Sequence, residues 1–203
     1  MATATSNREP STFNLPNQLT ASRLALGLVL FLLIDRHLWI GSIVVFAIAA
    51  VTDWLDGYLA RRQGLVSTLG RNLDPLVDKV VVCGSYIFLL PVPNSGLAAW
   101  MVTVVVGREL IITGLRSFME MSGASFGADW LGKIKMVLQC ATLFAIFLAL
   151  AAVSTNEGNG LSSQETVLVT IRDVLIYGML LATALSGLQY IWRAFQMLKP
   201  ESL

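Results

Sequence analysis

Residues 39–78 read WIGSIVVFAIAAVTDWLDGYLARRQGLVSTLGRNLDPLVD. An apolar run opens the stretch and ends in two aspartates and two arginines. A break follows at Gln63 and Gly64, and two more aspartates open the next apolar run. A membrane-spanning helix needs ~20 mainly apolar residues, and the first run with its continuation, roughly 39–62, has that length. The same reading applied outward gives five more candidates, roughly 17–35, 71–91, 97–121, 130–153 and 166–196. Turn chemistry separates them: Asp35 to His37, Pro91 to Gly96, Ser122 to Ala124, and the polar stretch from Ser154 to Gln164. The expected fold is therefore an all-α integral membrane protein with six transmembrane helices. It divides into a polar N-terminal tail, 1–13, and one six-helix domain, 14–199, with no internal repeat.

Composition supports that class. The 203 residues are 55% hydrophobic and 13% charged, and mean hydropathy is +0.69. A soluble domain carries about 25% charged residues. The formal net charge of +1 carries little information on partners, and no nucleic acid is expected among them. Cys83 and Cys140 both fall in apolar runs and read as packing residues. The polar N-terminus lacks an apolar core followed by a small-residue cleavage site, so the first apolar run, from near Leu15, is expected to stay as an anchor.

Six spans leave both termini on one side. Of the 14 lysines and arginines, only Arg36 and Arg172 fall on the other side. Basic residues collect on the cytoplasmic side of a membrane protein, so both termini and the aspartate-bearing helix ends are expected there. In a bacterial cell this is the inner membrane. Trp39, Trp54, Trp100, Trp130 and Trp192 lie near helix ends and fit interfacial belts. Pro75 is expected in the first turn of its helix, and His37 reads as a polar turn residue on the far face.

Ionisable groups near hydrocarbon are costly and point to function. Asp53 and Asp56 are about 60° apart around a helix, and Asp74 and Asp78 about 40°, so each pair shares a face. The short connection from Gln63 to Gly70 makes the two helices antiparallel neighbours whose aspartate faces converge. Four unneutralised carboxylates would repel strongly at low dielectric. One or two divalent cations resolve this, and all-oxygen ligands favour Mg²⁺ or Mn²⁺. Gly57 and Ala60, on or beside the Asp53 face, allow a ligand to approach the backbone, or equally two helices to pack closely. Arg61 suits a phosphate, or snorkels to the interface.

The spacing D-x2-D-G-x2-A-R-x8-G-x3-D-x3-D, carried by Asp53, Asp56, Gly57, Ala60, Arg61, Gly70, Asp74 and Asp78, resembles the signature of the CDP-alcohol phosphotransferase family at every fixed position. The resemblance extends over nearly the whole chain and implies that family's six-helix bundle. It implies that Asp53, Asp56, Asp74 and Asp78 hold two metal ions, and that Asp78 is also the base that deprotonates the incoming alcohol. It implies that Gly57, Ala60, Arg61, Ser67 and Gly70 form the CDP-lipid site together with Asn17 and Thr20, and that the protein is a homodimer.

Three further segments bear on the acceptor: Asn14 to Arg23, Gly107 to Arg116, and Gly132 to Gln139. With Val51 to Trp54 they resemble the branch of the family that makes phosphatidylglycerol phosphate, although Met136 stands where that branch has threonine. Arg108, Arg116, Lys133 and Lys135, with Glu109 orienting an arginine, would enter one cytoplasm-facing cavity. Several cations suit a doubly charged acceptor such as glycerol 3-phosphate. A buried ion pair that only joins helices is the plainer reading of the same residues. The expectation is transfer of the phosphatidyl group of CDP-diacylglycerol to glycerol 3-phosphate, with CMP released. The alternatives are another acceptor (inositol phosphate, phosphatidylglycerol, serine or a diglyceride), a divalent-cation transporter, or an inactive lipid-binding scaffold.

Overall fold

Among the described residues, long and largely apolar runs form six helices: α1 (Leu15–Asp35), α2 (Trp39–Gln63), α3 (Thr68–Leu89), α4 (Ala99–Met121), α5 (Trp130–Ser154) and α6 (Ser163–Leu198). The computed structural model describes residues 15–63, 68–121, 130–155 and 162–198, with side chains for 21–52, 76–119, 121, 130–155 and 162–197. No strand occurs among the described residues. Among them, Trp130–Ser154 and Ser163–Met197 are long and apolar enough to cross a membrane by length and composition.

Local chemistry sets the helix ends. His37 adopts φ 57°, donates its N–H to the Ile34 carbonyl, and Leu38 donates to that of Leu33. This is a Schellman ending with histidine at the left-handed position usually held by glycine. At the start of α6, Ser162 N–H donates to Glu165 Oε2 at 2.9 Å, and Glu165 N–H points back to Ser162 Oγ at 3.4 Å. These reciprocal contacts form a capping box. The α3–α4 connection turns through Asn94 (φ 62°) and Gly96 (φ 77°). Arg172 of α6 locks it by donating to the Asn94 carbonyl.

Two expectations change. α3 begins at Thr68, so Pro75 lies about two turns inside it rather than in the first turn. A proline there cannot donate to the carbonyl four residues back. Trp39 is not interfacial: it is 6% exposed and belongs to the core. Trp100, Trp130 and Trp192 are exposed as a belt requires.

The core sits in the half of the bundle nearest the α1–α2 and α3–α4 turns. Leu30 and Ile34, Trp39 and Phe46, Tyr86 and Leu89, Met101 and Val105, Ile146 and Phe147, and Ile176 and Met179 come from the six helices in order. Phe46 meets Phe144 and Phe147 at 5.6 and 5.9 Å between ring centroids. Close approach of α1 and α3 depends on Gly27, whose added Cβ would stand 2.7 Å from Val81, and on Gly84, which faces the Phe31 ring. α6 packs against α5 and α4, while α1 and α5 each touch both α2 and α3. Large apolar side chains cover the outer faces, among them Val174, Leu181, Leu188 and Phe195 on α6. Glu165 and Arg172 are buried near the α3–α4 turn, while Arg23, Glu109 and Lys135 are buried toward the other half, where the candidate site lies.

Candidate active site

The backbones of Asp53 and Asp56 lie on α2, and those of Asp74 and Asp78 on α3, at the helical register the spacing predicts. The side chains of Asp53, Asp56 and Asp74 lie outside the described residues. So do those of Asn17, Thr20, Gly57, Ala60, Arg61, Ser67 and Gly70. Asp78 is the described member of the cluster. Its Oδ1 accepts from Arg23 Nη1 at 3.0 Å, and the side chains are 24% and 5% exposed respectively. Burial makes the Arg23 guanidinium dependent on a carboxylate partner, and α1 supplies it toward α3.

α2 and α3 do not meet directly among the described residues, and the convergence expected of their aspartate faces lies outside the described side chains. They face each other across a cavity of about 50 Å³, lined by Phe46, Ala49 and Ala50 of α2, Asp78, Val81 and Val82 of α3, Arg23, and Met136 and Cys140 of α5. α1 and α5 hold the pair apart by packing against each.

A second cavity, of about 160 Å³, opens between α3, α4 and α5. Asp78, Lys79, Val82, Cys83, Glu109, Lys135, Met136 and Gln139 line it. Asp78, Val82 and Met136 therefore belong to both cavities. Asp78 stands at the partition between a space beside α2 and a space lined by cations.

Glu109 organises that second space. It is 5% exposed, and its Oε1 accepts from Lys135 Nζ and from Arg108 Nη1, the latter at 3.2 Å. Lys135 is also 5% exposed. Lys79 Nζ donates to Thr113 Oγ1, and Thr113 donates in turn to the Glu109 carbonyl at 2.6 Å. Arg108 leans onto α6, where it donates to Ser186 Oγ and lies 5.7 Å from the Tyr190 ring centroid. Gly187 makes room for it, since a Cβ there would be 3.3 Å from Arg108 Cγ.

Of the five residues expected to bind the acceptor phosphate, Glu109 and Lys135 line the cavity. Arg108 braces Glu109 from the α6 side. Arg116 and Lys133 lie on the exposed surface. Helix geometry explains Lys133: two positions from Lys135 is about 200° of rotation, so both cannot face one cavity. Arg23, Lys79, Cys83 and Gln139 were not expected as site residues. Lys79 directly follows Asp78, and Gln139 is one turn beyond Lys135 on the same face. Both signals were present in the sequence.

Among the described residues no group of three or more potential metal ligands occurs, since three of the four expected aspartates have side chains outside them. Asp78 contributes carboxylate oxygen at the edge of an accessible cavity, on the same helix face as Asp74.

The family model described as CDP-alcohol phosphatidyltransferase matches residues 13–185. The chain belongs to this family. Its match runs from before α1 into α6, so the CDP-alcohol phosphatidyltransferase region takes in both cavities. Similar proteins within the family include the CDP-diacylglycerol–glycerol-3-phosphate 3-phosphatidyltransferase of Bacillus subtilis, 32% identical over 94% of this chain and 100% of that protein. Enzymes of the same name from Pectobacterium atrosepticum and Escherichia coli K12 are 36% and 34% identical. They cover 66% and 64% of this chain, and 76% and 75% of their own lengths.

Proposed function

We propose that this protein transfers the phosphatidyl group of CDP-diacylglycerol to glycerol 3-phosphate, giving phosphatidylglycerol phosphate and CMP. The observation that carries the reading is Asp78 on the wall shared by two cavities, the larger of which is lined by Lys79 and Lys135. At about 160 Å³ that cavity is below the ~300 Å³ at which drug-sized pockets begin. A three-carbon phosphate suits it better than a lipid acceptor. Family membership and the names of the three relatives support the same pair of substrates.

In this reading the acceptor enters the α3–α4–α5 cavity with its phosphate toward Lys79 and Lys135. Glu109 holds Lys135 in place. Asp78 takes the proton of the acceptor hydroxyl, which must lie within hydrogen-bond reach of the carboxylate. The alkoxide oxygen forms a bond to the phosphorus that carries the diacylglycerol. The bond from that phosphorus to the bridging oxygen breaks, and CMP leaves with the electron pair. Arg23 fixes the carboxylate in position through its 3.0 Å contact.

Two Mg²⁺ or Mn²⁺ ions held by Asp53, Asp56, Asp74 and Asp78 would neutralise the diphosphate and stabilise the leaving CMP. The CDP-lipid site is assigned to Asn17, Thr20, Gly57, Ala60, Arg61, Ser67 and Gly70 on the motif match. The catalytic unit is taken as residues 14–199, with six spans, cytoplasmic termini and a cytoplasm-facing site in the bacterial inner membrane. The basic-residue asymmetry and the exposed apolar faces support that placement. The 36 residues of α6 extend about 54 Å, so it tilts or projects beyond a hydrocarbon layer of ~30 Å. The homodimer rests on the family resemblance alone.

The test is CMP release by purified protein from CDP-diacylglycerol with a divalent cation and one alcohol at a time. Release is expected with glycerol 3-phosphate. Release with inositol phosphate, phosphatidylglycerol, serine or a diglyceride, and none with glycerol 3-phosphate, would overturn the choice of acceptor.

A further inference from the structure

Gln139 lines the acceptor cavity one helical turn beyond Lys135, is 3% exposed, and has a buried Nε2 with no hydrogen-bond partner among the described residues. Its backbone carbonyl is occupied by the Tyr86 hydroxyl at 3.0 Å, which fixes that turn of α5 against α3. A buried amide N–H group without a partner is costly to keep, and most such groups in folded proteins are satisfied. This one lies in the wall of a cavity that also holds Asp78 and two lysines.

We propose that Gln139 is a specificity-determining residue that hydrogen-bonds the second hydroxyl of the acceptor, the one that does not react. The inference rests on the acceptor reading given above and deepens it. A three-carbon acceptor with a phosphate at one end and the reacting hydroxyl at the other carries its remaining hydroxyl between them. The cavity supplies a matching set: lysine ammonium groups for the phosphate, the Asp78 carboxylate for the reacting hydroxyl, and an amide for the middle one. An amide both donates and accepts, and so does a hydroxyl, so either orientation of the amide is productive. Lys135 and Gln139 are separated by about 6 Å of helix rise, on the scale of such a short acceptor.

A site that hydrogen-bonds a substrate hydroxyl discriminates against the analogue that lacks it. The experiment compares kcat/KM for glycerol 3-phosphate with that for 3-hydroxypropyl phosphate, which lacks the middle hydroxyl. Both are measured in the wild type and in Gln139→Met, with KM for CDP-diacylglycerol followed in parallel. The wild type is expected to prefer glycerol 3-phosphate by roughly tenfold or more. In Gln139→Met that preference falls to near one. Equal losses on both acceptors in the variant would mark Gln139 as merely structural and overturn the proposal. A wild type that uses both acceptors equally well overturns it without reference to any variant. If the wild type releases CMP only with a chemically different acceptor, the acceptor reading itself fails, and the role of Gln139 fails with it.

Discussion

Glu109 is a buried carboxylate whose loss removes the partner that two cations share. It holds Lys135, itself 5% exposed, and also receives Arg108 at 3.2 Å. Glu109→Gln removes the one carboxylate that the Lys135 and Arg108 contacts share, and leaves both cations in place. Breaking a buried pair from one side costs about 3–5 kcal/mol. The glutamine oxygen still accepts a hydrogen bond, so the low end, about 3 kcal/mol, is the expected value. Lys135→Met is expected to cost less, about 1–2 kcal/mol, because Glu109 keeps Arg108 as its partner. The double variant should cost less than the two losses added together, with a coupling of at least about 1 kcal/mol. Thermal unfolding of the four proteins in one detergent reads this out. A chain of this size shifts by about 2–4 °C per kcal/mol, so Glu109→Gln should melt roughly 6–12 °C below wild type. The reasoning is refuted if Lys135→Met is the more damaging single change, or if the two losses simply add.

Two further predictions concern the fold. His37→Gly should raise stability by about 1 kcal/mol, since the left-handed φ of 57° strains a residue with a Cβ, and a higher melting temperature checks it. Gly84→Ala should lower stability by about 1–3 kcal/mol, because the new methyl meets the Phe31 ring, which is stacked on Phe88 at 4.9 Å and cannot easily yield. A melting temperature equal to wild type would contradict that packing.

The helices were legible because hydrocarbon-length apolar runs and turn residues alternate plainly along the chain. The break at Pro91 to Gly96 and the start at Trp130 appear where the sequence places them. The first residues of α3 and α6 were not legible from hydropathy, since Thr68 to Gly70 carry a single large apolar residue and Ser163 to Glu165 are polar. The Ser162–Glu165 pair was nonetheless a start signal, as a capping box. In the site, Glu109 and Lys135 stood out as charges too costly for an apolar helix without partners. Charge alone could not separate Lys135 from Lys133 or Arg108 from Arg116; helical rotation separates the first pair, and tertiary packing the second. Arg23 was read for orientation and as the end of a family-like segment but not as the partner of Asp78, which is 55 positions away with no local pattern joining them. Gln139 is uncharged and hidden in a segment noted for its lysines. Its place one turn beyond Lys135 was the sequence signal, and the buried Nε2 without a partner brings it forward.

The central claim is that Asp78, set between the two cavities, takes the proton from the acceptor. Its most direct test is CMP release from CDP-diacylglycerol and glycerol 3-phosphate by Asp78→Asn, with retained protection against unfolding by CDP-diacylglycerol as the measure of an intact fold. Asparagine keeps an oxygen for Arg23 but cannot hold the proton. The account predicts that kcat falls by about 10²-fold or more while the nucleotide-lipid still protects the protein. Turnover at the wild-type rate in that variant would contradict it.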